Sequence, residues 1–295
     1  MNPTNYWSAM ADAGENLKGV PREILPGVQV YANPTEVARA GARLFVDYAW
    51  QSISKYGQFM VALSGGNTPR LLFQFLASAE FRGQVDWAKV HVFWSDERAV
   101  PPDDAESNYG MARRELLIRV PIPQANVHRM EAEKANIGRA AHEYEEVLRK
   151  YLECDDRGFP RFHLIFLGMG VDGHTASLFP GTRVTRQTSR WVSTPMVGKL
   201  NAHRMTLTLP VLDAALRVVF LVVGAEKAEI LRAVLEGKAD PPYPAQQVQP
   251  CDGGLKLFLV DEAAAALLPS VVPQDASSSR GKSTGTIRSK PERSK

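Results

Sequence analysis

From Gln29 to about Leu268, short runs of consecutive apolar residues alternate with longer stretches in which apolar positions return every three or four residues. That is the pattern of strands buried on both faces and of helices laid over them, so it predicts an α/β fold. The apolar runs place strands at residues 59–63, 90–95, 162–167, 191–194, 205–208, 218–223 and 255–260. Helical spacing is clearest in three segments. The first opens at Asn33-Pro34-Thr35-Glu36, where Asn33 caps, Pro34 fits the first turn and Glu36 reaches back as in a capping box; it runs to about Tyr56, before Gly57. The second, residues 137–152, sets Ala141, Tyr144, Leu148 and Tyr151 on one stripe and Glu143, Glu145, Arg149 and Lys150 towards water. The third, residues 225–235, is closed by Gly237.

The ends of the chain differ from this middle. Residues 1–28 show no periodicity and carry Pro21 and Pro26, which reads as an arm before a domain of residues 29–269. Residues 270–295 are rich in Ser, Lys, Arg and Gly and cannot bury enough apolar surface to order themselves, which reads as a disordered basic tail. That tail corrects a first impression of charge. The chain is formally +3, but the tail holds Arg280, Lys282, Arg288, Lys290, Arg293 and Lys295 against Asp275 and Glu292, so the remainder is slightly acidic. A body so balanced offers no broad surface for nucleic acid, and a solvated extension is the expectation for the tail. Cys154 and Cys251 are the only cysteines and stand in no disulfide, redox or metal spacing. With no basic leader, no long apolar run and no metal-site spacing among the six histidines, we expect a cytoplasmic protein that binds neither membrane nor metal.

Four segments carry candidate chemistry. In Ser64-Gly65-Gly66-Asn67-Thr68, a buried strand runs into a glycine pair and a helix opened by Pro69. Such a turn either presents free amides and a helix N-terminus to a phosphate or is only a tight connection. It has neither the dinucleotide spacing nor the lysine of a P-loop. In Ser95-Asp96-Glu97-Arg98, three charges end an apolar strand, where ligands of open α/β sheets gather; Arg98 either pairs with a phosphate or joins a solvated local ion pair. Ser107-Asn108-Tyr109 reads as a helix cap, a structural feature.

The third segment, Gly168 to Gly173 followed by His174, packs glycines around Asp172 and His174. Dense glycine implies unusual backbone angles or a close ligand, and imidazole is the side chain suited to moving protons near neutrality. Asp172 stands where it can orient the His174 ring. The other histidines, His91, His128, His142, His163 and His203, read as structural or solvated. In the fourth segment Lys199 and Arg204 flank a short loop entering a strand, either closing over an anion or standing as surface cations. Val223-Gly224-Ala225-Glu226-Lys227 again ends a strand in glycine, with Lys227 joining an anion site or lying in a solvated helix start.

Together, LSGGNTP, FWSDERAVP with the later SNYG, LGMGVDGHTASLFPG, RMTLTLPVLDAA and VVFLVVGAEKAEIL resemble the 6-phosphogluconolactonase family in order and spacing, over roughly residues 29–268. The resemblance implies a three-layer α/β/α, Rossmann-like fold with a mostly parallel sheet of the sugar-phosphate-isomerase type. It also implies hydrolysis of 6-phospho-D-glucono-1,5-lactone without metal or organic cofactor; the oligomeric state, monomer or weak dimer, is not read from the sequence. By the same resemblance the turn Ser64 to Thr68 matches the phosphate-side loop, Arg98, Lys199 and Arg204 match cations near the phosphate, and His174 matches the catalytic histidine. On this reading Asp172 assists His174, Gly170 lies against the substrate, and amides of Gly170 to Gly173 steady the oxyanion. Two rivals remain: an amino-sugar-phosphate deaminase or isomerase of the same fold, which continues its histidine loop to a glutamate, and a sugar-phosphate sensor without turnover. Residues 175–180 supply no carboxylate, which favours hydrolysis.

Overall fold

The computed structural model describes residues 21–197, 202–251 and 253–269; the tail, Lys199 and most of the expected arm lie outside them. Strands β1 (Arg22–Leu25) and β2 (Val28–Tyr31) form an antiparallel hairpin through Pro26-Gly27. Helix α1 (Pro34–Tyr56) leads to β3 (Phe59–Leu63), and α2 (Asn67–Leu76) to β4 (Val90–Trp94), β5 (Asp96–Arg98) and α3 (Asn108–Ala112). After α4 (Ile137–Tyr151) come β6 (Leu164–Leu167), β7 (Val192–Ser193), β8 (Met196–Val197) and β9 (Ala202–Leu207). The chain ends through α5 (Leu209–Ala214), β10 (Arg217–Val222), α6 (Ala228–Glu236), α7 (Pro244–Gln247) and β11 (Leu255–Asp261).

A seven-stranded sheet in the order β1-β2-β11-β10-β6-β3-β4 runs through the centre, parallel everywhere except at the β1–β2 edge. All residues of β3 and β6 are buried, as strands covered on both faces must be. From β3 the chain steps outward to β4, then returns to the other side of β3 and proceeds through β6, β10 and β11. The strand order therefore reverses between β3 and β6, and a crevice opens beyond their carboxyl ends. A smaller antiparallel sheet, β5-β9-β7 with β8 on β9, continues from β4 at that same end.

The expected helix starts and stops hold for chemical reasons. Asn33 Oδ1 accepts from Glu36 N at 3.0 Å, Pro34 sits in the first turn, and Gly57 closes α1 with a left-handed φ of 76°. The capping box is only half formed, since the Asn33 side is the bond observed. Glu145 departs from its expected place in water. It is buried, and its Oε1 accepts from Arg190 Nε at 2.9 Å and from the amides of Trp191 and Val192 at 3.0 Å each. Burial pushes this carboxyl up, but Arg190 and the amides outweigh it and hold it below the usual range. Four residues from Ala141 and three from Leu148, Glu145 stands on the buried stripe of the helix, and the chain at residues 190–192 supplies the donors that let a carboxylate stay there.

Other differences are local. The sheet begins at β1, inside the segment expected as an arm, because a four-residue edge strand carries too short a pattern to be seen. Residues 191–194 pair only at Val192–Ser193, whereas the charged residues 96–98 form a strand. Among the described residues no helix is long and apolar enough to cross a membrane.

Three histidines are part of the packing, and His142 and His203 are exposed. His163 stacks on Tyr56 at 4.7 Å and accepts the Met60 N–H through Nδ1 at 3.1 Å. Burial, helped by the charge of Arg217, brings its pKa down to about 4. His128 bonds His91 across 3.1 Å and is brought down to about 4 by burial and by the nearby His91 and Lys150. A base whose folded pKa is depressed adds stability that is complete above the unfolded pKa of 6.5 and is lost as pH falls towards 4. Denaturant melts between pH 7 and pH 4 should therefore show falling stability, with His163 contributing about 2–3 kcal/mol. His163→Asn, which keeps an acceptor for Met60 N–H and cannot titrate, should flatten that fall.

Candidate active site

Beyond the carboxyl ends of β3, β4 and β6 lies a cleft of about 350 Å³. One wall is the turn from Ser64 to Thr68, between β3 and α2. Gly66 takes a φ of 113°, which glycine alone adopts readily, and no side chain among the described residues caps α2. The first amides of that helix therefore remain free at its positive end. The Ser64 hydroxyl does not join them. It is buried, donates to Phe166 O at 2.7 Å and accepts from Ser95 Oγ at 2.7 Å, so it braces the ends of β3, β4 and β6. The Ser64 hydroxyl is thus spent on the sheet.

The opposite wall comes from the small sheet. Arg98 on β5 and Arg204 on β9 are direct partners in the antiparallel register, so two like charges stand side by side. Arg98 Nη1 donates to the Glu106 carbonyl. The Nε atoms of both arginines are buried and have no partner among the described residues. Burial and the charge of Arg98 push the Arg204 guanidinium down. Its Nη1 lies 4.0 Å from Asp96 Oδ2, the edge of ion-pair range.

The carboxylates beside them are not a solvated loop. Asp96 and Glu97 are both buried. Glu97 Oε1 accepts from the amides of Arg98 and Asn108 at 2.8 Å each, and Oε2 from Tyr109 N at 2.8 Å and Ser107 Oγ at 3.1 Å. Burial pushes its carboxyl up, against the pull of these amides. Asp96 Oδ2 accepts from Ser177 Oγ at 2.7 Å, which ties the segment after His174 to β5.

The histidine loop leaves β6 and completes the cleft. His174 Nδ1 lies 2.6 Å from Asp172 Oδ1, and the ring stacks on Phe179 at 4.3 Å. Burial pushes the Asp172 carboxyl up, but the bond to His174 and the charge on that ring prevail and hold it below the usual carboxylate range. With Nδ1 engaged, Nε2 is the nitrogen left to move a proton. Gly170 is explained by contact: a Cβ there would lie 2.1 Å from His174 Nδ1 and 2.7 Å from Asp172 Oδ1. The expected oxyanion role of this loop loses two of its donors. Gly170 N donates to His174 O at 2.9 Å and Gly173 N to Gly170 O at 3.0 Å, so both amides are already used.

One cleft thus gathers Ser64 to Thr68, Arg98, Gly170, His174 and Arg204, and Asp172 joins through His174. Lys199 lies outside the described residues. Lys227 lines the cleft, and so do residues not singled out as site residues, Asn108, Ala176 and Glu226 among them. The SNYG motif is the signal for Asn108: the segment caps α3 as expected, through Ser107 Oγ accepting from Gly110 N at 2.9 Å, and Asn108 beside it also lines the cleft. Among the described residues no three His, Cys, Asp or Glu side chains group as a metal site.

Residues 32–257 match the family model described as glucosamine-6-phosphate isomerases/6-phosphogluconolactonase. The chain is similar to a 6-phosphogluconolactonase of Synechocystis, 42% identical over 216 residues, covering 72% of this chain and 86% of that protein. It is similar to the Homo sapiens 6-phosphogluconolactonase, 39% identical over 248 residues, covering 82% and 94%. Among solved structures it is similar to the 6-phosphogluconolactonase of Trypanosoma brucei, with a TM-score of 0.75, 30% identity, and coverage of 84% of this chain and 100% of that one.

The contact at Gly170 makes a prediction that needs no substrate. Gly170→Ala should force the imidazole off Asp172 while the fold persists, read as loss of the downfield Nδ1 proton resonance of His174 with an unchanged far-ultraviolet dichroism spectrum.

Proposed function

The chain belongs to the glucosamine-6-phosphate isomerase/6-phosphogluconolactonase family, and we propose that it hydrolyses 6-phospho-D-glucono-1,5-lactone to 6-phospho-D-gluconate in the oxidative pentose phosphate pathway. The observation that carries this reading is the pair of facing arginines, each with a buried Nε that has no partner among the described residues, in the same cleft as an Asp-His pair. A phosphate dianion accepts from both guanidinium groups and from the free amides of the Gly65-Gly66 turn, which offsets their repulsion and supplies the missing partners. Lys227 adds a further cation to the cleft. Held by its phosphate, the lactone needs no further search to bring its carbonyl carbon to His174.

At the reacting end, Asp172 keeps the ring proton on Nδ1, so Nε2 presents its lone pair. As the water oxygen bonds to the carbonyl carbon, Nε2 takes the water proton and the carbonyl becomes an oxyanion. When the carbonyl re-forms, the bond to the ring oxygen breaks and the imidazolium gives that oxygen its proton. The new carboxylic acid then ionises. The step is balanced by one water and needs no oxidant or metal. Residues 175–180 hold no carboxylate for the proton transfers of an isomerase, which supports hydrolysis over enolisation. The two cysteines are free, which fits a reducing compartment such as the cytoplasm.

Turnover should be measured against the spontaneous opening of the lactone. His174→Ala should lower kcat by about 10²–10⁴-fold, and a variant within threefold of the parent, roughly the scatter of such assays, removes His174 from the chemistry. Asp172→Asn should cost about 10–10³-fold in kcat, because the ring loses its tautomer. Arg98→Ala and Arg204→Ala should instead raise KM, each by about 10–100-fold, since each removes charge-assisted bonds to the phosphate.

A further inference from the structure

Asn108 opens α3, and only 2% of it is exposed. Its backbone N–H donates to Glu97 Oε1 at 2.8 Å, and its Nδ2 donates to the Asp96 carbonyl at 2.9 Å and to Asp96 Oδ1 at 3.2 Å. Both Asp96 atoms are acceptors, so the amide orientation is settled: Nδ2 faces Asp96 and Oδ1 faces away. That oxygen is buried and has no hydrogen-bond partner among the described residues. It meets Gly65. A Cβ built on Gly65 would lie 1.8 Å from Oδ1 and 2.5 Å from Cγ of Asn108.

This contact explains Gly65 differently from its neighbour. Gly66 has a left-handed backbone that only glycine tolerates well, whereas Gly65 does not. What excludes a side chain at Gly65 is the carboxamide of Asn108. The carboxamide in turn hangs from Asp96, while Glu97 accepts from the backbone N–H groups of both Asn108 and Arg98. The amide half and the arginine half of the cleft are thereby referenced to the same two carboxylates.

We propose that Asn108 is the positioning residue of the anion-binding turn: its carboxamide is the seat on which Gly65 rests, and it sets the placement of the free amides relative to Arg98 and Arg204. This rests on the reading of that turn as the phosphate end of the site. Asn108 acts through the backbone of residues 65–68 rather than on the ligand.

The test is a mutant cycle in the full chain, read by titration with 6-phosphogluconate and with inorganic phosphate and by the split of KM against kcat. Gly65→Ala should collide with the carboxamide and weaken binding of both anions by about tenfold or more, with KM rising far more than kcat falls. Asn108→Ala should leave the turn unseated and weaken binding by about fivefold. In the double variant the new methyl enters the space the carboxamide vacated, so binding should be about threefold tighter than in Gly65→Ala alone. Losses that multiply in the double variant overturn the proposal, as does Asn108→Ala with parental affinity. Should Asn108→Ala melt below the assay temperature, Asn108→Ser, which keeps a donor for Asp96 and removes the seat, takes its place in the cycle with the same expected signs. The binding arm separates this inference from the proposed reaction. Rescue in the cycle without lactone turnover leaves the positioning role standing and removes the reaction; turnover with no coupling does the reverse.

Discussion

Two adjacent buried carboxylates, Asp96 and Glu97, hold together everything at the carboxyl edge of the sheet. Burying a carboxylate is costly unless its oxygens are satisfied, and here the satisfaction comes mainly from neutral donors. Glu97 binds the start of α3 through Ser107, Asn108 and Tyr109, and Asp96 binds the Asn108 carboxamide and the Ser177 hydroxyl. Among the described residues neither carboxylate is spent on a close ion pair with Arg98 or Arg204: Arg204 Nη1 stays 4.0 Å from Asp96 Oδ2, at the edge of ion-pair range. The same network ties the histidine loop to β5 through Ser177, so the two walls of the cleft are registered to one point.

The glycines of the cleft serve two different purposes. Gly66 has a φ of 113° and is there for backbone conformation. Gly65 and Gly170 have no such backbone and are there for space: the Asn108 carboxamide occupies what would be the side chain of one, and the Asp172–His174 pair that of the other. In both loops a working polar side chain is pressed directly onto main chain. A rigid seat of this kind fixes a side chain better than a loop does by itself.

Strand order explains why these loops meet at all. β3 and β6 are sequence-distant neighbours on either side of the reversal, and the Ser64 hydroxyl bonds to Phe166 O and Ser95 Oγ across the ends of three strands. Side chain and main chain of one residue are thus divided, the hydroxyl to the sheet and the backbone to the cleft. The small sheet then supplies what the main sheet lacks, the facing arginines on β5 and β9.

The sequence by itself determined the α/β class, the central strands, the caps at Asn33 and Gly57, and the glycine-rich segments around Gly65 and His174, because burial periodicity, cap chemistry and glycine content are properties of short stretches. It also marked Arg98, Arg204 and Asp172 as candidates. Tertiary structure decided the rest. That Glu145 finds Arg190 and the amides of Trp191 and Val192, that residues 96–98 are a strand, that Arg98 faces Arg204, that the Ser64 hydroxyl is spent on the sheet and that Asn108 sits against Gly65 are all contacts between residues far apart in the chain. No local pattern encodes them, since each depends on which strand lies beside which and on what folds over its end.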